Sequence, residues 1–77
     1  MTLASRIAHA RELHGLSRRE LSQRIGAGDV VVGQIERGAI PNPGSATIVA
    51  LAAELDVSTD WLLLGTGRGP RRRRRAA

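Results

Sequence analysis

Residues 17–38, SRRELSQRIGAGDVVVGQIERG, restrict the fold more than any other stretch of the chain. Ser17 stands where a helix N-cap is wanted. Glu20, three residues on, completes a capping box in which each side chain satisfies the other residue's backbone N–H. Leu21 and Ile25 then fall four residues apart on one helical face. Gly26 sits where that helix must end and the chain turn sharply, which suits a residue free to adopt positive φ. Beyond it, Val32 and Ile35 give a second helix a buried edge, and Gly38 ends that helix as a C-cap. Ser22 is small where the second helix packs on the first. The stretch therefore predicts two short helices joined by a tight glycine turn.

The capping box, the small residue, the glycine and the Ile35-Glu36-Arg37-Gly38 ending together resemble the helix-turn-helix of the phage repressor and Cro proteins and the related XRE-type bacterial regulators. The string VSTDWLLLGTG, residues 57–67, resembles the final helix of the same regulators. The resemblance covers roughly residues 3–67. It implies an all-α, compact five-helix repressor-like domain whose second motif helix lies in the DNA major groove. It also implies a sequence-specific transcriptional regulator, a repressor that binds a palindromic operator as a homodimer and blocks polymerase sterically. Double-stranded DNA and a second copy of the chain are then its partners, with a regulatory protein as a further one. An alternative stays open: a helix-turn-helix interaction module, such as an antitoxin, adaptor or co-regulator, with weak or no DNA binding.

The remaining elements follow from spacing. Leu3, Ile7, Ala10 and Leu13 predict a first helix over residues 3–14, decorated by Arg6, Arg11 and Glu12, with Gly15 as its cap and Leu16 plugging the core. The second helix covers 18–25. The third is expected to begin at Gly28 or Asp29 and run to about Arg37. It departs from the family, where a Ser or Thr cap followed by glutamine is usual, and its three valines and Gly33 are poor helix formers. Residues 39–44, AIPNPG, form a loop. Ile48, Leu51, Ala52 and Leu55 mark a fourth helix from Ser45 to Leu55. The fifth is capped by Ser58 and reaches Gly65, with Trp61 in the core. Residues 65–70 read as a flexible linker, which gives a domain over residues 1–67 and a disordered Arg-rich tail over 68–77.

Charge is concentrated at that end. Five of the twelve arginines are Arg71 to Arg75, which leaves seven arginines against seven acids in the rest of the 77-residue chain. The basic character belongs to the tail, whose natural counterpart is nucleic acid. With only ~60% of the unfolded surface buried in a chain of this size, self-association is also favoured on stability grounds. Cysteine is absent, and His9 and His14 are isolated and expected to face solvent, whereas a zinc site needs about four ligands. No metal or cofactor is expected, and no nucleophile–base pair suggests an enzyme. No apolar run approaches the ~20 residues that would span a bilayer. With no signal-peptide pattern, a cytoplasmic location is expected and membrane association is not.

Candidate DNA contacts gather on the motif. Arg18 and Arg19 occupy the first turn of a helix, poor placement beside a partly positive N-terminus unless an anion is to be met there. The family often has a glutamine at Arg18 that touches the DNA backbone. Asp29 is a cap or, against DNA, an acceptor for cytosine N4. Val30 and Val31 suit thymine methyl groups, and Gln34 suits a bidentate adenine contact. Gly28, Arg37 and, in the loop, Asn42 complete the set. Arg11 and Glu36 occupy positions that are ion-paired in relatives of this fold, and Leu64 is the candidate dimer contact.

Overall fold

Serine and threonine caps set three of the helix starts. A computed structural model describes residues 1–70; the arginine run at 71–75, and with it most of the expected tail, lies outside the described residues. Thr2 and Ser5 form a reciprocal capping box on α1, Leu3–Leu13, and Ser17 and Glu20 form one on α2, Arg18–Arg24. The Ser17 backbone N–H donates to the Glu20 carboxylate at 2.8 Å, which holds that carboxyl below its ordinary range. Ser58 accepts from the Trp61 N–H at the start of α5, Thr59–Leu64. The other two helices, α3 at Val31–Glu36 and α4 at Ser45–Leu55, carry no side-chain cap of their own. The chain is all-α, with five helices and no strand among the described residues.

The apolar stripes meet in one core. Ile7 and Ala10 of α1, Leu21 of α2, Val32 and Ile35 of α3, Ile48, Leu51 and Leu55 of α4 and Leu62 of α5 are all buried. Leu16 and Trp61 are half-buried and pack against this cluster from the turn and from α5. α2 and α3 lie against each other, and both rest on α4, α1 or both. The motif is thus backed by α1 and α4, on which α5 also packs.

α3 obtains its missing cap from a neighbour. The hydroxyl of Ser22, fully buried on α2, accepts the Val32 N–H at 2.9 Å and donates to the Arg18 carbonyl at 2.8 Å. Its position therefore requires more than smallness. Ser22→Ala keeps the volume and leaves the Val32 donor buried without a partner, so it is expected to cost about 1–3 kcal/mol in urea denaturation. A loss within about 0.5 kcal/mol, the range of inconsequential surface changes, contradicts this role.

Several sequence expectations need correction. α3 starts at Val31, not at Gly28 or Asp29. Gly28 has φ +80°, a left-handed conformation that cannot open a right-handed helix and that glycine alone adopts freely. Asp29 is not a cap, since Val30 holds that position without a side-chain bond. Arg6 does not decorate α1: it is buried, and donates from Nε to the Trp61 carbonyl and from Nη1 to the Met1 carbonyl. His14 is half-buried, its Nε2 2.8 Å from the Leu55 carbonyl oxygen, because it caps α1 beside the end of α4. Residues 65–70 are not a free linker. The Ser58 N–H donates to the Arg68 carbonyl, Arg68 pairs with Asp56 at 2.9 Å, and Gly69 lies so close to the Trp61 indole that a Cβ there would stand 2.8 Å from Nε1.

Candidate nucleic-acid interface

α3 turns one side to the core and the other to solvent. Val32 and Ile35 are buried, while Val30 at its cap is 60% exposed, Gln34 half-exposed and Arg37 exposed. Val30, Gly33, Gln34 and Arg37 follow the three-and-four spacing of a single helical face. Val31 does not belong to that face: it is half-buried and packs against the core, which narrows the apolar surface offered outward to Val30. Gly33 is buried although it lies on the outer face, because two arginines cover it. A Cβ there would meet Arg37 Nη1 at 3.3 Å and Arg18 Cδ at 3.6 Å.

Two of the arginines around this face, Arg18 and Arg19, are compensated internally. Arg18 Nε donates to Glu36 Oε1 at 2.9 Å. Arg11, from α1, takes the same carboxylate from behind, with Nε at 2.8 Å from Oε2 and Nη2 at 3.2 Å from Oε1. The Arg11 and Glu36 side chains are only 8% and 5% exposed. Their hydrogen bond raises the Arg11 guanidinium above its already high ordinary value, against the opposing effect of burial. Arg11 Nη1 is further satisfied by the Leu16 carbonyl at 2.8 Å.

At the other end of α3, Asp29 accepts from Gln23 Nε2 at 2.8 Å and lies 3.6 Å from Arg19 Nη2. The anion that two arginines in the first turn of α2 call for is thus present within the chain in both cases. Arg37 alone of the arginines near α3's outer face has no ion-pair partner among the described residues. Gly28 is exposed in the turn and Asn42 in the loop after α3. Leu64 is 70% exposed at the end of α5.

Sequence reasoning passed over three residues of this site. Ser22 was read for size and not for its hydroxyl. Gln23 carries no motif signal in the sequence, yet its amide donates to the Asp29 carboxylate at 2.8 Å. Gly33 was read as a propensity defect, whereas its missing side chain makes room for Arg18 and Arg37. The sequence carries no local signal for the Ser22 hydroxyl, because Asp29 stands where a cap for α3 is expected and only the observed start at Val31 leaves the first turn without one.

Comparison with known proteins places this geometry. The chain resembles the P22 c2 repressor protein, solved in complex with synthetic operator 9T in the presence of Tl+, with a TM-score of 0.79 and 27% sequence identity; the match covers 86% of this chain and 98% of that one. A family model described as helix-turn-helix matches residues 7–62, from the middle of α1 into α5. The chain belongs to that helix-turn-helix family, the one that contains the Cro- and C1-like XRE-type regulators.

Proposed function

We propose that this chain is a sequence-specific DNA-binding transcriptional regulator, a repressor that binds a palindromic operator as a dimer. The observation that carries the reading is the outer face of α3, rigidly backed by the core and built on the scaffold of a repressor seen bound to a synthetic operator. In this reading α3 enters the major groove. Gln34 offers the paired donor and acceptor that match adenine N7 and N6, and Val30 offers a methyl surface to thymine. Arg37, Arg19, the Gly28 backbone and Asn42 border the face where phosphates pass, and Asp29 faces a cytosine amino group once Gln23 or Arg19 yields it.

A single short helix reads too few bases for useful selectivity, so two copies are needed, with their α3 helices ~34 Å apart on successive turns of one DNA face. Leu64 is our dimer contact. It stands at the end of α5 next to Leu63, and Leu63 shares an apolar groove with Val49 and Ile48 of α4. A cytoplasmic or nucleoid location accompanies this function; no helix among the described residues is long and apolar enough to cross a membrane.

The test is selection of duplexes from a random library, followed by binding of Gln34→Ala to the selected and to random DNA. Loss of a bidentate base contact is expected to cost about 1–3 kcal/mol on the selected site and little on random sequence. Sedimentation on a short selected duplex is expected to give two chains per site; one chain at saturation rejects the dimer. The competing reading, a protein-interaction module, is favoured by the internal pairing of Arg18 and Arg19, and it prevails if the wild-type chain enriches no duplex at all.

A further inference from the structure

We propose that Arg18 reads a guanine in the major groove, as a base-contacting residue and not as a phosphate contact. The inference rests on the DNA-binding reading above and assigns one position of the site that reading requires.

The side chain is drawn off its own helix. Its Nε is bound to Glu36 at 2.9 Å, and its Cδ passes within 3.6 Å of the point where a Gly33 side chain would begin. Gly33 lies in the middle of the outer face of α3, between Val30 and Gln34, and has nothing of its own to present. Arg18 reaches over that position from α2, beside Arg37, whose Nη1 lies 3.3 Å from the same point. Its anchor is firm: the Glu36 carboxylate is 5% exposed and is gripped on its other oxygen by Arg11 at 2.8 Å.

An arginine has five N–H donors in a planar fork. One of them is committed to Glu36. The Nη1 and Nη2 groups have no hydrogen-bond partner among the described residues, and the side chain is 61% exposed. Two parallel donors at a fixed position match guanine O6 and N7, the pairing that arginine makes most often with a base. Glu36 also tells against the phosphate alternative. A phosphate contact depends on net charge and counterion release, and a carboxylate on Nε diminishes the first while adding nothing to the second. A base edge depends on geometry, and geometry is what Glu36 supplies.

Lysine at this position separates the two roles, because it keeps the charge and loses the fork. The full chain, Arg18→Lys and Arg18→Ala are each used to select duplexes from a random library, and the salt dependence of binding is measured for each. The wild-type site is expected to contain a guanine in each half. Arg18→Lys is expected to lose preference for that guanine by about tenfold or more while the other positions persist, with an unchanged salt slope. Arg18→Ala is expected to lose the same preference. If both variants keep every selected position, and Arg18→Ala merely lowers the slope of log K against log salt by ~0.9, Arg18 is a phosphate contact and the proposal fails. A wild-type site without guanine also overturns it. A wild-type chain that selects nothing overturns the DNA reading itself, and this assignment with it. Thermal denaturation of both variants checks that the fold persists.

Discussion

Glu36→Ala is expected to destabilise the domain by about 3–5 kcal/mol, because it strands a buried arginine. Arg11 Nε and Nη2 both donate to the Glu36 carboxylate, and the two side chains are 8% and 5% exposed. After the substitution only the Leu16 carbonyl and the distant Glu12 carboxylate, 3.8 Å away at the surface, remain near the guanidinium. Arg18 contributes little to this loss. It is 61% exposed, and an exposed pair is worth about 0–1 kcal/mol. In a domain of this size the loss corresponds to a fall in Tm of roughly 12 °C or more. Removing both partners with apolar residues of similar volume, Arg11→Met with Glu36→Leu, is expected to recover most of the stability, because the penalty lies in the orphaned charge and not in the absent attraction. Urea denaturation of the single and double variants decides. A single-variant loss under about 1 kcal/mol means that the pair behaves as a surface one.

The largest effect on DNA binding is expected from removal of the arginine run. Residues 71–75 lie outside the described residues, and their charge alone carries the expectation. Those five arginines account for the whole net charge of +5, and the two arginines at the start of α2 are already paired with Glu36 and Asp29. A chain ending at Pro70, which keeps the Arg68–Asp56 pair and the seat of Gly69 on Trp61, is expected to bind selected and random duplexes more weakly to the same degree. The slope of log K against log salt is expected to fall by up to ~4.5, at ~0.9 per phosphate contact on duplex DNA. Discrimination between the two duplexes is expected to survive, since phosphate contacts position a protein without choosing sequence. A truncated chain that still binds but no longer discriminates shows that the run reads bases, and α3 then loses its role.

The fold was legible where local chemistry and periodicity agreed. Ser17 with Glu20, Ser58 and the Ile48–Leu55 stripe each specify an element through short-range rules, and α2, α4 and α5 lie within a residue of their expected places; the Val32–Ile35 edge specifies α3, whose start comes two to three residues later than expected. What escaped were long-range partnerships. Arg6 looked like surface decoration because α1 alone has room for it outside; its carbonyl partner on α5 is 55 residues away. Asp29 looks like a cap because its type and position fit one, but α3 begins at Val31, one residue too late for it, and its carboxylate accepts from Gln23 instead. Residues 65–70 carry the glycines of a linker, and no local rule shows that one of those glycines is there to fit under an indole ring. At the candidate site, the identities of the outward residues were readable from the helical period. Their internal charge compensation was not, because it depends on which acid each arginine meets in three dimensions.

The Ser22 hydroxyl has a consequence for how such a domain changes over generations. One oxygen on α2 fixes where α3 begins. The residues at the entrance of α3, Asp29 and Val30, are thereby released from the duty that helix starts usually impose on their first side chains. Both are exposed. A lineage descended from this chain is free to exchange them, and so to alter what the helix meets, with Ser22 still in place to start it. Folding instructions and reading letters are written on different helices, and the letters are open to revision.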